Sequence, residues 1–234
     1  MLRLAQKTFL AAAFCLGFLT EARAGVIEVA PVVVQINGNE TTTTLTLTNR
    51  SDETSSVQIR PYEWTQSTGD DDLKPTTQII VSPPIFDLPP SQSQIVRIVR
   101  RSPAAATELS YRLIIDELPQ TAKDNQVRFN LRISMPVFVD SAQSNVKPPL
   151  EWKLRKTDTE SQIVVSNRGS RRVRILNPIF TSAQGSTIEV QAPGNPYVLA
   201  GAERVWKLKN PADANDLKPV ADSDFGPVTE SIRF

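Results

Sequence analysis

The stretch that decides the fold is Gln126-Val-Arg-Phe-Asn-Leu-Arg-Ile-Ser-Met-Pro-Val-Phe-Val139. Val127, Phe129, Leu131, Ile133 and Met135 are apolar, and Gln126, Arg128, Asn130, Arg132 and Ser134 between them are polar. Apolar residues at every second position define a β-strand with one greasy face. The run is longer than the usual strand of about five or six residues. Two roles fit it. Either the whole apolar face lies in the core of a sandwich, or part of that face is offered to a partner.

Working outward, short apolar or alternating segments bounded by turn residues fill the chain before it. They are Val26 to Ile36, Thr41 to Asn49, Val57 to Trp64, Gln78 to Val81, Ile85 to Leu88, Ser93 to Val99 and Tyr111 to Leu118. Asn37-Gly38-Asn39 and Asn49 to Glu53 read as turns. Pro61 predicts a bend or an edge position in its strand. Ser82-Pro83-Pro84 is a rigid break in which either X-Pro bond is able to be cis. Thr68 to Leu73, with Gly69 and Asp70-Asp71-Asp72, reads as a solvated acidic turn, and Asp116-Glu117 as part of a domain corner. About seven strands in roughly 115 residues is the expectation for an immunoglobulin-like sandwich.

Asp140 to Pro149 is polar and ends in Pro148-Pro149, a linker composition. Beyond it the pattern restarts with Trp152 to Arg155, Ser161 to Asn167, Arg171 to Leu176, Ser186 to Gln191, Tyr197 to Leu199, Arg204 to Leu208 and Pro227 to Arg233. Asn167-Arg168-Gly169-Ser170 reads as a hairpin turn and Pro211 to Asp224 as irregular. The chain is therefore expected to be all-β, with one sandwich over residues 25–143 and a second, smaller one over residues 144–234.

The N-terminus has the form of an export signal. Arg3 and Lys7 precede an apolar run from Phe9 to Thr20, and Ala22-Arg23-Ala24 is a small-x-small cleavage site. Cleavage after Ala24 makes residues 1–24 a signal peptide and removes Cys15, the one cysteine. The exported chain then holds itself together without a disulfide.

Composition narrows the function. With 26 basic and 25 acidic side chains there is no electrostatic case for nucleic acid. The absence of His excludes Ser-His-Asp and Cys-His catalysis and His-ligated metal. The one dense acidic run, Asp70 to Asp72, lacks the alternating ligands and distal Glu of a calcium loop. No enzyme, cofactor, metal or small-molecule substrate is expected. The remaining rival is a structural subunit or adhesin of a surface fibre. Such a subunit would be a single sandwich lacking its last strand.

Several stretches together resemble the periplasmic chaperones of chaperone–usher pilus assembly, the PapD-like family. They are Leu45-Thr46-Leu47-Thr48-Asn49, Ser82-Pro83-Pro84-Ile85-Phe86 with Pro89-Pro90, Val96-Arg97-Ile98, Tyr111 to Pro119, and Leu131 to Val139. Trp152 and Asn167-Arg168-Gly169 fit more loosely. The resemblance implies two immunoglobulin-like sandwiches in a boomerang. It also implies a periplasmic location, with pilus or fimbrial subunits and an outer-membrane usher as partners. Self-association, by which a free chaperone hides its strand, is a further partner class. Pilus subunits lack a strand, and chaperones of this family are known to lend one, pairing main chains while alternate side chains fill pockets. The lent residues would be Val127, Phe129, Leu131 and Ile133.

The best-known branch of the family binds the subunit's C-terminal carboxylate with an Arg and a Lys, which fall on Val33 and Ser134 here. A Glu and an Arg that pair across its domain interface fall on Glu108 and Phe138. Tyr111 to Pro119 and Met135 to Val139 look more like the archaic branch, which serves thin biofilm pili. Arg112 is the first candidate for a substitute carboxylate anchor, because it interrupts an apolar run on the strand expected beside the last one. A guanidinium grips a carboxylate bidentately. Arg132 and Arg128 are the alternatives, and the bland role for Arg112 is to face solvent.

Overall fold

The computed structural model describes residues 27–103, 105–119, 129–141, 147–156, 160–182, 185–210 and 217–228. Among these residues all regular structure is β. The expected signal peptide and the boundary between residues 143 and 144 lie outside the described residues.

The first sandwich is built from β1 (Ile27–Ala30), β2 (Val34–Ile36), β3 (Thr42–Asn49), β4 (Ser55–Thr65), β5 (Asp72–Pro75), β6 (Ile79–Ser82), β7 (Ile85–Leu88), β8 (Ser93–Arg100), β9 (Leu109–Glu117) and β10 (Arg132–Val139). One sheet has the order β1-β3-β8-β6, and the other β2-β10-β9-β4-β5 with β7 also paired to β4. The alternating residues of both sheets meet in one core, including Leu45, Leu47, Ile59, Val96, Leu113 and Val137. The segment expected as one strand over Val26 to Ile36 is two strands, one in each sheet, divided after the cis Ala30–Pro31 bond. Ser82–Pro83 is also cis.

Pro61 lies inside the sheet rather than at its edge, with Leu113 of β9 opposite it on one side. On the other side β7 pairs Ser55 to Gln58 and β5 pairs Tyr62 to Thr65, so Pro61 sits at the gap between them. Its carbonyl accepts from Thr76 N on that side, and its missing N–H faces the same gap, where no ladder bond is lost.

The second sandwich comprises β11 (Leu150–Lys156), β12 (Ser161–Asn167), β13 (Val173–Thr181), β14 (Thr187–Ile188), β15 (Val190–Gln191), β16 (Tyr197–Val198), β17 (Glu203–Leu208), β18 (Lys218–Ser223) and β19 (Gly226–Val228). Its sheets are β11-β12-β17-β15 and β14-β13-β18-β19, with β16 paired to β13. Trp152 and Trp206 stack at 5.8 Å between centroids, and Phe180 packs edge-on to both.

Two expectations fail here. Asn167 to Ser170 is no hairpin turn, because β12 and β13 lie in different sheets. The buried Asn167 redirects the chain: its Nδ2 donates to Arg171 O and Val198 O, and its Oδ1 accepts from Gly169 N. Asn49 does the same at the end of β3, donating to Glu53 O and Leu88 O and accepting from Ser51 N. The two sandwiches thus share one corner device. The second failure is β18, which lies in a segment read as irregular. Its inward residues are Pro219 and Ala221 while Val220 points out, so its polarity pattern is faint and inverted.

Candidate functional site

The apolar face of β10 divides along its length. Met135, Val137 and Val139 are buried in the first core, and Ile133 packs on its margin. Leu131 is 38% exposed and Phe129 89% exposed. The described strand begins at Arg132, later than the alternation suggested, because its partner runs out. Arg132 pairs with Asp116 of β9, and Leu131 O still accepts from Glu117 N at 2.9 Å. Continuing that register sets Phe129 opposite Pro119, which has no N–H to give. Val127 and Arg128 lie outside the described residues.

Among the described residues the other edge of β10 is largely open. β2 pairs it in parallel at Val137–Val139. Since Leu131 turns its backbone toward β9, alternation turns those of Arg132, Ser134 and Pro136 toward the open edge. Pro136 offers a carbonyl and no donor there, as suits an edge residue.

The opposite face of the same sheet carries the charged residues. Its end is joined to the second sandwich. Trp64, Phe138 and Leu199 are buried together, with Val33 and Tyr197 packed against them. Val33, at the position expected to lack a family Arg, is thus part of an apolar joint. Phe138, at the other departure, lies under Arg172 of the second sandwich, whose guanidinium carbon is 3.6 Å from the ring centroid. Arg172 also closes on the carboxylate of Glu108 and donates its backbone N–H to it. With Phe138 in place of the family's Arg, Glu108 is bridged instead by an arginine from the other sandwich.

Asp70 is exposed, as expected of a solvated run, but Asp71 is bonded into the second sandwich. Its carboxylate takes Arg204 Nη1 and Nη2 at 3.0 and 3.2 Å, Trp64 Nε1 at 2.8 Å and Gln66 Nε2 at 3.0 Å, and Asn195 also bonds it. Burial pushes its pKa up, but the bonds from Arg204, Gln66 and Trp64 outweigh that and hold it below the ordinary carboxylate value. Gly69, at φ +91°, passes so close to the second sandwich that a Cβ would lie 2.4 Å from Val205 Cγ2. No sequence signal distinguished this run from a solvated one, since its partner Arg204 lies far along the chain.

Arg112 is half-buried on this face. Its guanidinium carbon lies 3.9 Å from the Trp64 ring centroid, and its Nη1 donates to Ser134 Oγ at 3.2 Å. Burial lowers its pKa, though a guanidinium stays charged. Its charge therefore stands beside Ser134, where the resemblance placed a missing Lys. Arg132 is differently engaged: its Nε donates to Asp116 Oδ1 at 2.5 Å, and Arg60 takes the other oxygen at 2.6 Å. Asp116 lies at the end of β9 away from Glu108, so Asp116-Glu117 is no interdomain corner.

Comparison with known proteins agrees with this architecture. The description "Pili and flagellar-assembly chaperone, PapD N-terminal domain" matches residues 26–143. The chain belongs to this chaperone family. Solved structures similar to the chaperone cover both sandwiches. A chain from the CsuC–CsuE chaperone–tip subunit pre-assembly complex of the archaic Csu pili of Acinetobacter baumannii is 24% identical, with a TM-score of 0.69, over 88% of this chain and 98% of that one. A chain from the Salmonella enterica SafA pilin–SafB chaperone complex is 17% identical, with a TM-score of 0.60, over 91% and 97%. The E. coli chaperone DraB is 18% identical, with a TM-score of 0.58, over 90% and 96%. No curated protein sequence matches the chain. Among the described residues there is no group of metal-ligating side chains and no helix long and apolar enough to cross a membrane.

Proposed function

We propose that this chaperone captures pilus subunits in the periplasm by lending them the strand around residues 126–135, and hands them to an outer-membrane usher. The observation that carries the reading is the division of β10. Its apolar alternation continues past the core to an exposed Leu131 and Phe129 beside an open strand edge. An incomplete subunit sandwich presents the complement, an apolar groove with unpaired strand edges. Val127, Phe129, Leu131 and Ile133 are the lent residues, and filling four pockets contributes roughly 6–12 kcal/mol before ordering costs.

Arg112 is the proposed anchor for the subunit's C-terminal carboxylate, supported by its place beside Ser134 on the same sheet. Arg132 is a poorer choice because Asp116 already holds it. The archaic branch is favoured by the Csu chaperone's likeness and by the replacement of the expected Arg and Lys by Val33 and Ser134. Export relies on residues 1–24, with cleavage after Ala24, and no catalysis forms part of the role. The test is to replace Phe129 and Leu131 with Asp and co-purify with a pilus subunit. The variant is expected to stay folded and lose the subunit. Retention of the subunit at native level would show that the strand is not lent.

A further inference from the structure

We infer that Trp64 is a positioning residue for the subunit carboxylate, and that its own placement is set from the second sandwich through Asp71 and Arg204. This deepens the reading of Arg112 given above and rests on it. An arginine side chain has many rotamers, and gripping a carboxylate freezes most of them. Here much of that freezing precedes the partner. Trp64 presents one ring face to the guanidinium at 3.9 Å, and Ser134 Oγ fixes Nη1 at 3.2 Å. Among the described residues Ser134 is the one hydrogen-bond partner of Arg112, which leaves the Nε–Nη2 edge as a fork for a carboxylate.

The ring that holds Arg112 is itself held. Trp64 is 2% exposed and packs against Phe138 and edge-on to Tyr197. Its Nε1 donates to Asp71 Oδ1, and Arg204 forks onto both Asp71 oxygens. Arg204 is 1% exposed and is also fixed by the carbonyls of Gly69 and Asn195. Arg112, Trp64, Asp71 and Arg204 thus form a continuous series of contacts from the outer face of the β10 sheet into the second sandwich. The series gives the second sandwich a function at the binding face of the first: it fixes the direction in which the anchor's free edge points.

The test separates the carboxylate from the strand. The probe is a fluorescein-labelled strand peptide, Thr-Val-Thr-Ile-Thr-Tyr, prepared as the free acid and as the carboxamide, with binding read by polarisation. The native chaperone is expected to bind the acid about tenfold tighter than the amide. Trp64→Leu is expected to reduce that ratio to about twofold, with the loss falling on the acid far more than on the amide, and Trp64→Phe, which keeps a ring face, to restore most of it. Arg204→Lys, which touches neither Arg112 nor the peptide, is expected to lower the ratio about threefold, and it carries the test should Trp64→Leu not fold. A native ratio in both Trp64→Leu and Arg204→Lys overturns the inference, as does an equal loss of acid and amide binding. A native protein that binds both forms equally removes Arg112 as anchor, and the inference with it. One that binds neither removes the open edge as a docking site and overturns both.

Discussion

Arg172, from the turn before β13, closes on Glu108 at the start of β9 while its guanidinium lies over Phe138 of β10. Both charges are buried. A buried pair of this kind gains little over an apolar replacement, yet removing Arg172 leaves the buried Glu108 with Arg171, 3.8 Å away, in place of a direct bond. Arg172→Met is therefore expected to destabilise the protein by about 3–5 kcal/mol. The double change Glu108→Leu with Arg172→Met should return most of that. Urea unfolding of the two variants checks it, and equal instability of both would show that shape rather than charge decides the joint.

The corner device shared by Asn49 and Asn167 can be tested in each sandwich separately. Either Asn→Ala change orphans two carbonyls and one N–H that the side chain satisfies. A loss of about 1–3 kcal/mol is expected for each. Thermal melting should place the two losses in the same range, despite the difference in sandwich size.

Gly69 has two reasons to be Gly: a left-handed backbone and the nearness of Val205. Gly69→Ala should cost about 1–3 kcal/mol through backbone strain, with a collision added. Adding Val205→Ala should recover the collision and leave the strain. Full recovery in the double variant, measured by melting temperature, would mean that the backbone is unstrained.

The acid side of the stability profile follows from Asp71 and Asp116. Asp116, like Asp71, is raised by burial and lowered further by its hydrogen bonds, here from Arg132 and Arg60. A carboxylate held below its unfolded pKa of about 4 contributes stability above that value and loses it as pH falls through the folded pKa. Glu108 has the opposite sign, since burial raises it against the pull of Arg172, so acid relieves its cost. Melting temperature should fall on acidification, and less steeply in Asp116→Asn than in the native protein. Parallel profiles would show that Asp116 does not titrate with folding.

Much of this molecule is legible in its sequence. The alternation of β3 and β10 places their inward residues correctly because a two-residue period needs no tertiary information, whereas β8 sets Ile95 beside Val96 and only Val96 is buried. The pairing of Arg112 with Ser134 follows once β9 and β10 are neighbours, since both side chains fall on the same face. The joint between the sandwiches was illegible. Asp71 and Arg204, or Glu108 and Arg172, are distant in sequence and carry no local pattern that names their partners. The start of β10 was misjudged for a related reason: its length is set by where β9 ends, at a proline on another segment.

Because the inner half of β10 is locked into the core through Met135, Val137 and Val139, its outer half inherits a fixed parity. A slip by one residue would pull all three out of the core and turn polar neighbours in. An incoming strand therefore meets a ruler already zeroed by the fold. It can choose where along the edge to sit in steps of two, and it cannot invert which side chains it faces.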